Sequence, residues 1–264
     1  MTDSNHHSTA DSHQQSTNTK KRYFEAAPLN IDVENFKKVV ESRRSVRKFT
    51  DKAIPTEVLD DCLDMALLAP NSSNLQPWTF YVVQSEGKKQ QIVKACLNQL
   101  AAKTASEIIV CVARTDRIDE MAKRNVNEFP FPEIPPMIKK YYKFIPYNYK
   151  TGYFNTLGNF KKVAFKVART LNKQLPVTAF NEADAKLWAS KTTALACENL
   201  VLALRAHGFD SCMMEGFDEP LVCKTLELND QQYPVMVIGA GERAEDGVYF
   251  PQYRFDRKLF IQKV

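Results

Sequence analysis

The chain has 264 residues, of which 36 are Lys or Arg and 31 Asp or Glu, for a formal net charge of +5, and it is 44% hydrophobic and 25% charged. This composition excludes a collagen-like or wholly disordered protein and leaves one large domain or two small ones. No stretch approaches the roughly 18 consecutive apolar residues of a spanning helix, and Met1 to Lys20 lacks the apolar core of a signal peptide, so a cytoplasmic protein is expected.

Residues 1–22 are rich in Ser, Thr, Gln, Asn and His and predict a disordered leader ahead of a single domain over 23–264. Ile31, Val33, Phe36, Val39 and Val40 then predict an amphipathic helix running into the basic cluster Arg43-Arg44-Ser45-Val46-Arg47-Lys48. Pro55-Thr56-Glu57 opens a second helix with Val58, Leu59, Cys62, Met65, Ala66 and Ala69 on its face, halted by Pro70. Asn71 to Pro77 reads as a loop. Runs of β-branched and aromatic residues predict strands over 79–83 and 108–113, with a helix over 88–102 between them.

Residues 129–180 change character. Prolines stand at 130, 132, 135, 136, 146 and 176, and five of the ten tyrosines fall between Tyr141 and Tyr153. This is an excursion from the core, either a lid over a site or an arm bracing a dimer. From Asp184 to His207, apolar residues spread round much of a helix, the pattern of burial on more than one side and of a subunit interface. Next come a strand over 211–214, the turn Glu215-Gly216-Phe217-Asp218, a helix over 220–228 and a strand over 234–238. The tail over 247–264 is too short to be a domain.

The six cysteines form no C-x-x-C pair and read as buried free thiols. His207 is the one imidazole outside the leader, and its place before Gly208 predicts a helix end at which the ring meets exposed carbonyls. Histidine-centred catalysis and a metal site are therefore not expected. Gly239-Ala240-Gly241-Glu242-Arg243-Ala244 matches G-x-G-x-x-G/A after a strand, but Gly247 and Pro251 break the residues beyond it and the chain ends at Val264. A dinucleotide fold needs a helix and a second strand there, so the glycines read as a tight turn.

Two segments could carry chemistry. Arg43, Arg44, Ser45 and Arg47 put three guanidinium forks and a hydroxyl within five residues, which suits a phosphate but also fits a solvated helix end. Asn71, Ser72, Ser73, Asn74 and Gln76 offer the paired donors and acceptors that a heteroaromatic ring edge requires, or form a plain loop.

Together with Glu215-Gly216-Phe217-Asp218 and Arg254, these segments resemble the nitroreductase family of flavoproteins. In that family a basic R-x-S-x-[RK] start, a P-S-S-x-N-x-Q-P-W loop, an E-G-F turn and a C-terminal arginine hold one FMN. The resemblance covers roughly Ile31 to Val264. It implies an α+β fold with a mixed, mostly antiparallel sheet flanked by helices. It also implies an intertwined homodimer with two FMN sites at the interface and a C-terminal extension wrapped onto the partner.

By the same resemblance, Arg43, Ser45 and Arg254 engage the FMN phosphate beside Arg44, and Arg47 lies near the N1 and O2 edge of the ring. A cation there favours the reduced flavin. Asn74 pairs with the pyrimidine end, Asn71, Ser72, Ser73 and Gln76 supply loop contacts, and the backbone of Glu215 and Gly216 approaches N5. Asn71 stands where the family usually has serine, and Gln252-Tyr253-Arg254 lacks a lysine found in some members.

The implied activity is transfer of a hydride from NAD(P)H through flavin N5 to a nitroaromatic, quinone or other electron-poor small molecule, in ping-pong fashion. No protein nucleophile or acid–base dyad is required. A specialised branch (reductive dehalogenation, enone reduction or flavin fragmentation) and a non-catalytic flavin-binding protein are the alternatives. The basic runs are dispersed and match no nucleic-acid-reading motif, so neither nucleic acid nor membrane is expected as a partner.

Overall fold

The computed structural model describes residue 27 and residues 30–175 and 178–264; the leader expected over 1–22 lies outside them. The most uninterrupted apolar run becomes a central strand: β2 (Glu107–Arg114) buries every residue from Ile108 to Ala113, so both its faces meet apolar layers. It pairs antiparallel with β1 (Trp78–Val82) and β4 (Gln232–Gly241), and β4 pairs antiparallel with β3 (Asp210–Met214), giving the order β1-β2-β4-β3. Among the described residues the one parallel pairing is an isolated bridge from Ser45 to Ser211 of β3.

Side-chain alternation sorts β2 between two layers. Ile109 and Cys111 pack with α2 (Thr56–Leu67) and α8 (Glu182–Ala206), through Leu59, Cys62, Cys197, Leu200 and Leu204. Ile108, Val110 and Val112 pack on the other face with α3 (Glu86–Ala95), α4 (Leu100–Thr104) and α9 (Glu219–Leu226), through Ile92, Ala101 and Val222. Each fully buried Val or Ile stabilises the fold by about 1.5–3 kcal/mol, so this double layer is the main source of stability. Burial also pushes the thiols of Cys62 and Cys96 up to about 11, which keeps them protonated and inert.

α1 (Val33–Ser42) starts where Asp32 accepts from the Asn35 amide at 3.0 Å, and none of its residues is buried. Three expectations are corrected. The helix predicted over 88–102 is two helices, because Leu97 and Asn98 take left-handed backbone angles and the Asn98 amide turns back to the Val93 carbonyl. β4 runs on through Gly239-Ala240-Gly241, so those glycines are strand and not turn. A Cβ at Gly239 would stand 2.9 Å from the Ala101 carbonyl oxygen, and one at Gly241 would stand 3.1 Å from Phe49. Finally, His207 caps α8 but turns its Nε2 to Asp61 Oδ2 at 2.6 Å in place of the helix carbonyls.

The excursion is helical despite its prolines. After α5 (Ile118–Asn127), it holds α6 (Pro136–Phe144), with proline in its first turn where no amide hydrogen is needed, and α7 (Thr156–Thr170). Ile145 and Tyr149 anchor it against Leu75, Ile118 and Ala122. α8 is buried through Ala189, Thr193, Ala196, Leu200 and Leu204, but Leu187 and Leu195 are exposed on this single chain.

Candidate functional site

Beyond α1 the chain becomes a ribbon against the outer edge of β3. The Val46 amide donates to the Ser211 carbonyl at 3.0 Å and the Arg47 amide to the Gly247 carbonyl at 2.7 Å. Val46 is fully buried, so its neighbours Ser45 and Arg47 are turned the other way along an extended backbone. Arg43, Arg44, Ser45 and Arg47 together with Val248 to Arg254 enclose a cleft of about 460 Å³. Among the described residues, four arginines, Ser45 and two tyrosines line it and no carboxylate does, a composition suited to a multiply charged oxyanion. Arg44 donates to the Phe250 carbonyl, which holds the tail across the cleft, and Arg254 donates to the Tyr253 carbonyl at 2.8 Å.

The ribbon is fixed from below. Asp210, at the start of β3, is almost wholly buried and accepts from Arg205 Nη1 at 2.9 Å and from Arg243 Nη2 and Nε at 2.6 and 3.0 Å. The same two arginines reach Ser42, Arg205 at the hydroxyl (3.0 Å) and Arg243 at the carbonyl (3.3 Å). A buried acid thus sets where α1 ends and the basic cluster begins. Sequence reasoning did not single it out, although a lone acid in an apolar strand is a signal in itself.

β3 leads from Ser211, beside Ser45, to Glu215, four steps of roughly 3.3 Å. Glu215 and Gly216 are exposed there, and a Cβ on Gly216 would meet nothing within 4 Å, so open space lies above the turn. The Gly216 carbonyl accepts from Gln99 Nε2 at 3.1 Å.

The amide loop lies elsewhere. It enters β1, at the opposite edge of the sheet from β3, three strand spacings or roughly 14 Å away. Ser73, Asn74 and Gln76 have positive φ, and the loop is tied internally: the Gln76 amide donates to Asn71 Oδ1 at 2.9 Å and Gln76 Nε2 to Asn74 Oδ1 at 3.2 Å. Asn74 Nδ2 donates to Asn125 Oδ1 at 2.8 Å, and Asn125 returns a bond to the Asn74 carbonyl. Ser73 Oγ meets the Tyr141 hydroxyl.

Asn71 and Ser72 line a second cavity, about 670 Å³, with Tyr149, Phe180, Trp188 and Lys191 among its other walls. Tyr149 stacks on Trp188 with ring centroids 3.9 Å apart, and its hydroxyl lies 3.3 Å from Ser72 Oγ. Burial pushes the Tyr149 phenol up, partly offset by Ser72, so it keeps its proton near neutrality. The structure therefore gathers Arg43, Arg44, Ser45, Arg47 and Arg254 in one cleft and Asn71 and Ser72 in another. Tyr149 belongs to the segment expected as a lid or a dimer arm, but Trp188 and Lys191 were not foreseen as wall residues, because their meeting with it depends on how the excursion docks on α8.

The family model described as Nitroreductase family matches residues 40–242. YdgI of Bacillus subtilis, which carries the provisional name NAD(P)H nitroreductase, is 27% identical over 231 residues, spanning 85% of this chain and 95% of that protein. Among solved structures, ydfN of Bacillus subtilis, provisionally a nitroreductase, aligns with a TM-score of 0.70 at 20% identity over 88% of this chain and 100% of that one. A provisionally named nitroreductase from Exiguobacterium sibiricum, solved in complex with FMN, aligns with a TM-score of 0.62 at 22% identity over 87% of this chain and 97% of that one.

Proposed function

The chain belongs to the nitroreductase family, and from that premise we propose that it is an FMN-dependent oxidoreductase using NAD(P)H to reduce a nitroaromatic, quinone or similar electron-poor small molecule. The observation that carries this reading is the acid-free cleft of Arg43, Arg44, Arg47 and Arg254 with the Ser45 hydroxyl. A phosphate monoester is close to dianionic at neutral pH, and bidentate guanidinium contacts are its strongest side-chain partners. The Exiguobacterium protein holds FMN on the same fold, which supports FMN as the occupant.

On this reading Arg43, Ser45 and Arg254 bind the phosphate and Arg47 lies toward the pyrimidine end, while Glu215 and Gly216 present backbone to the ring across the open space above the turn. When bound, the flavin supplies the redox chemistry, taking a hydride from the nicotinamide and passing it to the acceptor. The protein's part is to orient ring and substrates and to limit water. Tyr149 and Trp188 form a rigid aromatic wall for a planar acceptor, and among the described residues Lys191 is the only cation lining that cavity.

The two clefts stand at opposite edges of the sheet, which supports a homodimer in which each flavin takes its phosphate and N5 contacts from one chain and its amide-loop contacts from the other. The uncovered apolar side chains of α1 (Phe36, Val40), of α8 (Leu187, Leu195) and of the tail (Tyr249 to Ile261) are surface that a second copy would bury.

The test is direct. The purified full chain, reconstituted with FMN, should be yellow, bleach with NADH or NADPH without oxygen, and recover colour on adding a nitroaromatic or a quinone. A chain that stays colourless after reconstitution overturns the flavin reading; one that binds FMN but is never bleached is a flavin carrier and not a reductase.

A further inference from the structure

Residues 129–175 hold nine basic residues against the single acid Glu133, a net +8 in a chain whose total is +5, so the remainder carries a net −3. Within this segment α7 docks by one side only. A Cβ on Gly158 would stand 2.0 Å from the Phe180 carbonyl oxygen, so glycine is what allows the helix this close. Phe165 meets the Phe180 ring edge-on at 5.3 Å, and the Lys161 ammonium donates to the carbonyls of Tyr147, Asn148, Lys150 and Ala179. At 3.6 residues per turn, Gly158, Lys161 and Phe165 share one narrow sector of the helix.

The opposite sector carries Phe160, Val163, Val167 and, at the cap, Leu171, each more than half exposed. Lys162, Lys166 and Arg169 run along one flank of that stripe. With Phe165, Thr170 and Phe180 they line a groove of about 500 Å³ that contains, among the described residues, three cations and no carboxylate.

An outward apolar stripe with cations alongside is what holds a helix in the plane of an anionic bilayer surface. We infer that α7 docks this protein on an anionic phospholipid surface, with Phe160, Val163, Val167 and Leu171 entering the acyl boundary and Lys162, Lys166 and Arg169 taking headgroup phosphates. This revises the expectation of no membrane partner. Among the described residues no helix is long and apolar enough to cross a membrane, but α7, 15 residues or about 22 Å long, suffices to lie along one. A second copy is the poorer occupant, since a twofold contact through α7 would set one strongly basic segment against another. The inference does not rest on the flavin reading.

Flotation of the full chain with vesicles of phosphatidylcholine alone, or with added phosphatidylserine, tests it. Binding should favour the phosphatidylserine vesicles by at least tenfold and weaken at high salt. Val163→Glu with Val167→Glu should abolish it, and the milder Val163→Ser with Val167→Ser should reduce it at least tenfold with the circular dichroism unchanged. Neutralising Lys162, Lys166 and Arg169 to Gln should weaken it by about fivefold per charge. Equal binding to both vesicle types overturns the proposal, as does loss with the charge variants but not with the stripe variants, which is adsorption by charge alone. A fall in molecular mass of the serine variant in sedimentation without vesicles also overturns it, because α7 is then a contact between copies.

Discussion

Arg243 grips both oxygens of Asp210, through Nη2 at 2.6 Å and Nε at 3.0 Å, while its Nη2 also reaches the Ser42 carbonyl at the end of α1. The carboxylate is thus the point from which the basic cluster is aimed. Replacing Asp210 with Asn leaves Arg205 and Arg243 without their counter-charge, a loss of about 3 kcal/mol for a buried pair. The expected outcome is a lower melting temperature together with FMN affinity weakened at least tenfold in a fluorescence titration. Unchanged affinity in a destabilised but folded Asp210→Asn protein would show that the network supports the fold without positioning Arg43 to Arg47.

If flavin sites are shared between copies, damage to the two halves must complement. A chain carrying Arg43→Ala and Arg47→Ala and a chain carrying Asn71→Ala and Ser72→Ala should each bind FMN poorly, since each lost charge-assisted arginine bond costs about 1.5–3 kcal/mol and each lost neutral bond about 0.5–1.5 kcal/mol. Unfolded and refolded together in equal amounts, they should recover about a quarter of the wild-type sites, because half the dimers are mixed and each mixed dimer restores one site of two. Flavin content after gel filtration measures this. No recovery would mean that one chain supplies both halves.

The glycines of β4 give a packing prediction. Gly239→Ala would drive a Cβ to 2.9 Å from the Ala101 carbonyl oxygen, a backbone atom of α4, and should cost about 2 kcal/mol, or roughly 5 °C in melting temperature. Gly87→Ala is the contrasting case: nothing lies within 4 Å of the added methyl in α3, and the helix should gain about 0.5–1 kcal/mol. Equal responses at the two positions would argue that close approach is not why β4 carries glycine.

These glycines also show where sequence reading stops. The unbroken apolar run from Ile108 to Ala113 and the proline start of α2 are local signals and could be read directly. Gly239 looked like a turn because glycine weakens strands, and what it makes room for, α4, is more than a hundred residues away. The break at Leu97–Asn98 was equally hidden, since left-handed angles at Leu are not written in helix propensity. In the site, the arginine cluster was visible as charge, but its meeting with Arg254 was known only through resemblance. The stack of Tyr149 on Trp188 is a tertiary fact with no local signature.

The last prediction concerns acid. Asp116 takes two bonds from Arg114, at 2.7 and 2.6 Å, and one from Gln232 at 3.1 Å. Burial alone would push its carboxyl up, but the bonds from Arg114 and Gln232 outweigh this and hold it below its ordinary 3.8. An unfolded chain therefore takes up the proton first. The stabilisation is complete above pH 3.8 and is lost as pH falls through the lower native value. Asp116→Asn removes the titration and should cost about 1.5 kcal/mol at neutral pH, some 3–6 °C in melting temperature. The gap between the two proteins should then shrink steadily as the pH is lowered from about 5 toward about 2. Melting curves at several pH values decide it: a gap that holds constant or widens in acid means that the Arg114 bond does not depend on the charge of Asp116.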